Sequence, residues 1–439
     1  MNLHLIFDML IKAIGGLGLF LLGMKQMSDG MQAMAGEKLR NLICKVTDNR
    51  FIALAIGATI TSVIQSSSIT TVLVVGMINA GVMTLQQSIG VILGADLGTT
   101  ITAWIVSLNI VEYGLPLLGL SAFVYLFSKS DHIRYIATFV LGLGMIFFGL
   151  QIMTSGFYPL RGNAEFISLL TKFAPTSMWG LAKCVLVGAF ITAVIQSSSA
   201  TVAITITLAQ TGIIDYQTAV ALVLGENIGT TITAYLASLG TIIAAKRAAY
   251  AHIVIKILGV MLMLPLFHIY VKFLQIVLPD ALNMGQRIAA AHTGFNIFLV
   301  TVFIWFIKPL AQLLLRIFQN KNLPLLRQPI LDVRMFEFPA MAVQQSFQVI
   351  VRMAELVGEM NVWLGHSLTK AKEETDQPLL LHEAELDVMQ KDVVEYIDNL
   401  MALALSHEDT VELRKQLRLA DEYESISDYI IVLIKLRNK

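Results

Sequence analysis

The chain has 439 residues, of which 56% are hydrophobic and only 14% are charged. Ordinary soluble domains carry about 25% charged residues, so this composition indicates an integral membrane protein. The net charge of zero argues against a nucleic-acid-binding protein, which would show a basic excess.

The charge is distributed unevenly along the chain. Residues 1–334 hold 12 acidic and 21 basic side chains, whereas residues 335–439 hold 19 acidic and 10 basic side chains. We therefore predict a transmembrane domain over about 1–310, a linker over 311–336 and a polar helical domain over 337–439.

Apolar runs in the first domain are long enough to cross a bilayer, which takes about 20 residues of helix. The predicted spans are 10–27, 113–128, 135–158, 248–271 and 288–307. Other apolar stretches are interrupted by Ser, Thr, Gln, Asn and Gly, a pattern typical of the discontinuous helices of transporters.

An internal repeat lies among the interrupted stretches. Residues 57–104 and 188–235 align without a gap at an offset of 131 residues, and 21 of the 48 positions are identical. Repeats on this scale indicate duplicated structural units. We place the first unit at about 51–108 and the second at about 181–239.

The positions of Lys and Arg predict opposite orientations for the two units, because basic residues in short loops mark the cytoplasmic side. Basic residues precede the first unit and follow the second, whereas the loop around Glu112 has none. Arg161, Lys172, Lys272 and Arg287 do not fit this scheme. The sequence therefore predicts an inverted repeat with the polar C-terminal domain in the cytoplasm.

Each unit contains a Gln-Ser-Ser-Ser segment after an apolar stretch. Irregular backbone in a membrane occurs only where it lines a cavity or is buried in protein. Hydroxyl and amide donors at a half-helix N-terminus suit an oxyanion, and hydroxyl and carbonyl oxygens suit Na⁺. Close helix packing through small residues is the alternative, but it needs no glutamine. The candidate binding residues are Gln65, Ser66, Ser67, Ser68, Gln196, Ser197, Ser198 and Ser199.

A second polar cluster in each unit has the pattern Gly-x-x-x-Gly-Thr-Thr. Ionisable groups inside a membrane indicate function by default, although Asp96 and Glu226 are equally compatible with helix ends that face water. Asp96 aligns with Asn227, so the two acids are not symmetric. The candidate sodium or coupling residues are Asp96, Thr99, Thr100, Glu226, Asn227, Thr230, Thr231 and Asn296.

Three histidines lie in or near the later spans. His292 and Asn296 are four residues apart and share a helix face, so they are candidates to line a cavity. His252, His268 and His292 are each expected to be interfacial or packed, as single histidines in such places usually are, and proton relays are the alternative.

The duplicated Gln-Ser-Ser-Ser, the two Gly-x-x-x-Gly-Thr-Thr segments and the His-Thr-x-Phe-Asn stretch resemble the type II sodium–phosphate cotransporter family in its bacterial branch. The resemblance covers about residues 1–310. It implies an all-α membrane transporter with two re-entrant hairpins, whose Gln-Ser-Ser-Ser segments face each other at mid-membrane and hold phosphate and sodium.

The tail is predicted to form three amphipathic helices over 337–372, 379–405 and 409–437, which can bury one core as a soluble three-helix bundle. It resembles a PhoU-like regulatory domain. The family's acidic motif places carboxylates one turn apart, where a metal could bind; an ordinary solvated acidic face is the alternative. The matching residues are Glu383, Asp387, Glu424 and Asp428.

The leading hypothesis is sodium-coupled transport of inorganic phosphate by alternating access in the inner (plasma) membrane. The coupling ions are sodium and no covalent cofactor is expected. The alternative is a membrane-anchored phosphate sensor that acts through the tail on phosphate-regulatory proteins. An enzyme is not expected, because the serines lie in no Gly-x-Ser-x-Gly elbow.

Overall fold

The computed structural model of the chain contains helices and no strands over the residues that it describes. These are 3–43, 49–79, 83–108, 110–162, 175–239, 241–318, 339–367, 372–403 and 407–437, with the isolated positions 331, 333, 336 and 405. Most of the predicted linker, 311–336, lies outside them. The chain divides into two compact units, of which the first comprises 1–75, 85–240 and 245–318 and the second comprises 319–439 with the short segments 76–84 and 241–244.

Besides two short 3₁₀-helices at Val111–Tyr113 and Tyr158–Gly162, fourteen α-helices are described before the tail. They are α1 (Leu3–Ile43), α2 (Arg50–Ile64), α3 (Ser67–Asn79), α4 (Leu85–Gly98), α5 (Thr100–Ser107), α6 (Gly114–Phe127), α7 (Asp131–Phe157), α8 (Met178–Ile195), α9 (Ser198–Gln210), α10 (Tyr216–Gly229), α11 (Thr231–Ser238), α12 (Ile243–Val277), α13 (Met284–Phe303) and α14 (Ile307–Ile317). The three tail helices are α15 (Pro339–Ser367), α16 (Lys372–Met401) and α17 (His407–Arg437).

Six segments of the described chain are long and apolar enough to cross a membrane. They are Phe7–Ala35, Leu85–Ser107, Asp131–Arg161, Met178–Ile195, Tyr216–Ser238 and Ile243–Val277. Helices α13 and α14 would add a seventh segment if counted together, although the chain bends by 75° between them. The protein is therefore a multi-pass membrane protein, as its composition predicts.

Two of the predicted spans differ from the structure. The run 113–128 forms only the 14-residue helix α6, which at 1.5 Å per residue is about 21 Å long and shorter than a bilayer core. The run 288–307 is not one straight span, because α13 ends at Phe303 and the chain turns into α14.

Helices α2 and α4 of the first repeat pack in backbone contact through glycines. A Cβ added at Gly90 would lie 2.9 Å from Ala53 Cβ, and one at Gly98 would lie 2.9 Å from Thr61 Cβ. One at Gly94 would overlap the carbonyl oxygen of Leu54. The contacting residue numbers increase together along the two helices, so α2 and α4 run parallel. The segment that joins the end of α2 to the start of α4 must therefore run in the opposite direction, and this segment contains α3.

The second repeat is built in the same way. A Cβ at Gly225 would overlap the carbonyl oxygen of Val185, and one at Gly229 would lie 2.6 Å from Thr192 Cβ. Helices α8 and α10 therefore also run parallel, and α9 returns the chain. Glycine is required at these positions because no side chain fits where two backbones touch.

The first helix of each repeat ends at a glutamine in the left-handed conformation. Gln65 has φ 58° and ψ 24°, and Gln196 has φ 57° and ψ 24°. They are the non-glycine residues with positive φ in the described part of the chain. Their backbone N–H groups donate 2.7 Å hydrogen bonds to Thr61 O and Thr192 O, so each helix ends in the same left-handed cap.

Each of the tail helices α15, α16 and α17 packs against the other two. Ser346 Oγ of α15 donates a 2.6 Å hydrogen bond to Gln416 Oε1 of α17, and Tyr396 OH of α16 donates one of 2.8 Å to Gln345 Oε1. The apolar side chains between them are buried, including Met353, Leu386, Met389, Val393, Leu400 and Leu413. The structure therefore has three tail helices in the predicted order. The predicted limits at 337 and 405 border residues outside the described part of the chain, and α16 begins at Lys372 rather than at 379.

Candidate functional site

The two Gln-Ser-Ser-Ser segments place a helix N-terminus at equivalent points of the repeats. Helix α3 begins at Ser67 and α9 begins at Ser198, 131 residues later. The preceding serines act as caps: Ser66 Oγ accepts from the N–H of Ile69 at 3.4 Å, and Ser197 Oγ accepts from that of Ala200 at 3.3 Å. These caps fix the residue at which α3 and α9 start. The free N–H groups of the first turn of each helix therefore lie at its junction with the preceding helix.

One cavity in the membrane domain is lined by polar residues from both repeats. Its lining consists of Ser67, Asp96, Thr99, Ser198, Glu226, Asn227, Thr230, Lys256 and His292. Six of these residues form three pairs of repeat-equivalent positions, namely Ser67 with Ser198, Asp96 with Asn227 and Thr99 with Thr230. The two Gln-Ser-Ser-Ser segments therefore meet at one site, although they are far apart in sequence.

The Lys256 ammonium lies at the centre of the buried polar network. Its Nζ is 3.0 Å from Asp96 Oδ1, and it donates hydrogen bonds to Asn227 Oδ1 at 2.8 Å and to Asn296 Oδ1 at 2.9 Å. Lys256 is 2% exposed, and its three partners are also buried. An unpaired charge at this depth would be costly, so the pairing with Asp96 is the main reason that Lys256 is tolerated here.

Asp96 has a second partner in His252, whose Nε2 lies 3.1 Å from Asp96 Oδ1. The other carboxylate oxygen, Asp96 Oδ2, is buried without a hydrogen-bond partner, as are Glu226 Oε2 and His292 Nδ1. Asp96, Glu226 and His292 all line the cavity. A ligand in the cavity would therefore find unused polar atoms, two of them on carboxyl groups.

Several of the predicted residues lie outside the cavity lining. The Gln65 side chain is buried and accepts a 3.0 Å hydrogen bond from Thr102 Oγ1, while Gln196 is exposed. Ser68 Oγ accepts a 3.0 Å hydrogen bond from Thr233 Oγ1, which links the first repeat to the second. Thr100 and Thr231 cap the ends of α4 and α10 through hydrogen bonds to Leu97 O and Ile228 O.

Two buried residues of the network were not predicted from the sequence. His252, expected to be interfacial or packed, is packed: it is 1% exposed, and its Nε2 lies 3.1 Å from Asp96 Oδ1, a contact that the sequence did not predict. Lys256 carries a clear sequence signal, since it is an ionisable residue within the apolar run 248–271. Of the pair expected to line the cavity, His292 lies in the lining, whereas Asn296 lies outside it and accepts a 2.9 Å hydrogen bond from Lys256 Nζ.

The four predicted metal-ligating acids of the tail lie on neighbouring turns of α16 and α17 and affect one another. Burial, together with the charges of Asp387 and Asp428, raises the pKa of Glu383 above its ordinary value. Burial, together with Asp428, Asp387 and Asp421, raises the pKa of Glu424. Among the residues that the structure describes, no three or more acidic, His or Cys side chains are close enough to hold a metal ion as placed.

A polar cavity lined by both repeats thus lies among the apolar helices of a multi-pass membrane protein. The family model described as Na+/Pi-cotransporter matches residues 19–155 and 163–278. The chain belongs to this family, which is one of transporters rather than enzymes.

Curated relatives agree with this assignment. The chain is 32% identical to the uncharacterized protein YqeW of Bacillus subtilis over 68% of this chain and 93% of that protein. It is 23% identical to YjbB of Escherichia coli, which is named as a candidate inorganic phosphate export protein, over 96% of this chain and 76% of that protein. The human sodium-dependent phosphate transport protein 2B is 33% identical over 23% of this chain and 15% of that protein. No solved structure matches the chain. These names favour transport over the sensor hypothesis.

Proposed function

We propose that this protein transports inorganic phosphate together with sodium across the inner (plasma) membrane by alternating access. The observation that carries the proposal is that Ser67 and Ser198, equivalent residues of the two repeats, line one cavity together with the carboxyl groups of Asp96 and Glu226. Family membership and the phosphate-related names of relatives supply the substrate class.

The phosphate end of the site is formed by the starts of α3 and α9. Each helix has 13 residues, and its first N–H groups and serine hydroxyl lie at the break. The positive end of a helix dipole and free backbone donors bind anions, and hydroxyl donors add directional hydrogen bonds. The Lys256 ammonium adds a positive charge to the same cavity.

The sodium requirement follows from the carboxyl groups. A phosphate dianion beside Asp96 and Glu226 would be repelled, and both carry a buried oxygen without a hydrogen-bond partner. A cation placed between phosphate and carboxylate turns this repulsion into attraction, which in a buried site is strong. Each ion thereby lowers the cost of burying the other, and this mutual dependence is the coupling.

We also propose that the two units are inverted, because contacts to α13 support opposite directions. Arg50 Nη1, at the start of α2, donates a 3.3 Å hydrogen bond to Ile304 O at the end of α13. Asn283, just before α13, donates one of 3.1 Å to Ser107 O at the end of α5. In the second repeat the start of α10 lies at the start of α13, since Tyr216 OH donates to Arg287 O at 3.3 Å.

Helices α2–α3 and α8–α9 are proposed to be re-entrant hairpins. The parallel packing of α2 with α4 and of α8 with α10 supports this, because the intervening helix must return to the side where the hairpin began. Helix α2 has 15 residues, about 22 Å, which is too short to cross the bilayer core. Helix α8, with 18 residues, is long enough to cross, so its place in a hairpin is supported by the parallel packing alone. Both hairpin tips then lie at the depth of the cavity.

The tail is proposed to be a cytoplasmic, PhoU-like regulatory domain that contacts phosphate-regulatory proteins. The mutual packing of α15, α16 and α17 and the proximity of the four acids support it. Glu383, Asp387, Glu424 and Asp428 are proposed to hold a divalent metal after side-chain rearrangement.

The test is labelled-phosphate flux in proteoliposomes that contain the purified full-length protein. Flux is measured with sodium directed inward, directed outward, equal on both sides, or replaced throughout by potassium. We expect flux to follow the direction of the sodium gradient and to be lost in potassium. Equal flux in sodium and potassium would remove the sodium coupling, and no flux in any condition would remove the transport function.

A further inference from the structure

The Lys256 ammonium is held entirely by oxygen atoms. Its contacts are Asp96 Oδ1 of α4 at 3.0 Å, Asn227 Oδ1 of α10 at 2.8 Å and Asn296 Oδ1 of α13 at 2.9 Å. An ammonium has three N–H donors, so these three contacts satisfy all of them. One carboxylate and two amide carbonyl oxygens, supplied by three different helices, therefore surround one positive charge.

The two amide oxygens are fixed in place independently of the lysine. Asn227 Nδ2 donates a 2.8 Å hydrogen bond to Val223 O, and Asn296 Nδ2 donates one of 3.0 Å to His292 O. Each acceptor is the carbonyl one helical turn earlier, so the helix itself orients the amide. Both Oδ1 atoms consequently point to the position of Nζ whether or not an ammonium is there.

This arrangement of oxygens is one that a hard monovalent cation prefers. Carboxylate and carbonyl oxygens suit hard cations, and carbonyl oxygens coordinate Na⁺ at the broken helices of transporters. All three oxygen-bearing residues are buried, with Asp96 at 4%, Asn227 at 3% and Asn296 at 0% exposure. Asp96 and Asn227 are moreover equivalent in the two repeats, so the site lies where the repeats meet.

We propose that Lys256 is a tethered cation, whose ammonium occupies an alkali-cation site formed by Asp96, Asn227 and Asn296. The protein supplies this positive charge itself, and no free ion binds at that position. The occupied site does not depend on the proposed function. Its consequence for coupling does rest on that function: a sodium ion coupled to phosphate would bind elsewhere in the cavity. Glu226 and the unused Asp96 Oδ2 are the acidic groups available to it.

Removal of the lysine side chain is then expected to create a site for a free cation. The amide oxygens keep their orientation through Val223 O and His292 O, and Asp96 is left with a buried charge that lacks its ammonium partner. Removing one member of a buried ion pair is strongly destabilising, because the charge of the other member stays buried without compensation. A sodium or potassium ion that enters the vacated position would restore the lost stability in proportion to its occupancy.

The experiment compares thermal unfolding of the full-length protein in detergent, without phosphate, across NaCl and KCl series in which choline chloride keeps the ionic strength constant. The variants are Lys256→Ala, the double variant Asp96→Asn/Lys256→Ala, and Lys272→Ala as a control for an exposed lysine on the same helix. In Lys256→Ala the unfolding temperature is expected to rise with NaCl or KCl by about 2–4 °C more than in the wild type. The double variant and Lys272→Ala are expected to respond as the wild type does.

The proposal is overturned if Lys256→Ala shows no added response to either cation, or if the double variant shows the same added response. If Lys256→Ala gives no folded protein in any salt, Lys256→Ser, which also vacates the ammonium position, replaces it with the same two outcomes. The unfolding measurement involves neither phosphate nor transport. A failure to detect phosphate flux would therefore not affect its interpretation, and a negative result in it would not argue against phosphate transport.

Discussion

Asp96 and Asn227 occupy equivalent positions of the two repeats and both contact the ammonium of Lys256, at 3.0 and 2.8 Å. A single side chain from α12 thus joins the second polar cluster of one repeat to that of the other. Any movement that separates the two repeats at this depth has to break one of these contacts. Lys256 therefore connects the two repeats through its ammonium.

The serines of the cavity are expected to bind the anion directly. Ser67→Ala and Ser198→Ala should each weaken phosphate binding about 10–100-fold, since a hydrogen bond to a charged group contributes about 1.5–3 kcal/mol. Equilibrium binding of labelled phosphate in saturating sodium is the measurement. Ser155→Ala is the matched control, because Ser155 is exposed on α7 and its hydroxyl bonds only Ile152 O among the contacts described. Unchanged affinity in both cavity variants would place the phosphate elsewhere.

The glycine contacts between parallel helices are expected to be intolerant of even one methyl group. Gly94→Ala and Gly225→Ala should each lower the free energy of unfolding by about 1–3 kcal/mol, because the new Cβ overlaps a backbone carbonyl oxygen. In contrast, nothing lies within 4 Å of a Cβ at Gly119 of α6, and Gly119→Ala should be neutral or slightly stabilising. Unfolding in detergent measures all three. Equal stabilities for Gly94→Ala and Gly119→Ala would contradict the packing described.

At the left-handed cap residue Gln196, glycine and valine substitutions are expected to have opposite effects on stability. Gln196→Gly should leave stability unchanged or raise it by about 1 kcal/mol, because glycine adopts φ 57° without strain. Gln196→Val should lower it by about 1–2 kcal/mol, since a β-branched residue is strained at positive φ. Unfolding temperatures of the two variants are compared with the wild type. A valine variant as stable as the glycine variant would show that this backbone geometry is not maintained.

The tail acids predict a dependence on pH. The pKa of Glu383 is raised above 4.5 by burial and by Asp387 and Asp428, so the native state holds this proton more tightly than the unfolded state. The stabilisation is complete below the unfolded-state pKa and is lost as pH rises through the raised folded-state pKa. Glu383→Gln should therefore stabilise the tail at neutral pH and flatten this part of the pH profile.

The stability of the tail is measured by hydrogen exchange of its backbone amides in the full-length protein, from about pH 4 to about pH 7. Glu395→Gln is the control, since residue 395 lies about 18 Å further along α16. A pH profile that Glu383→Gln leaves unchanged would show that the acids do not interact as placed.

The sequence by itself determined the membrane class, the repeat and most of the cavity. Because the two copies align without a gap, the alignment alone pairs Ser67 with Ser198 and Thr99 with Thr230. The two Gly-x-x-x-Gly-Thr-Thr clusters likewise pair by alignment, and they lie where α4 meets α5 and where α10 meets α11. Fourteen percent charge in so long a chain leaves few folds other than buried membrane helices.

Only the tertiary structure decided which polar residues meet. Lys256, Asp96, Asn227 and Asn296 belong to four helices, and no periodicity along one helix predicts a contact between them. The same holds for His252, and for Gln65, whose side chain bonds Thr102 rather than the cavity. A linear pattern records which face of a helix is polar, whereas the partner of a buried charge is fixed by how the helices pack. That packing is set by glycine contacts such as Gly94 against Leu54, where two backbones touch and nothing larger fits.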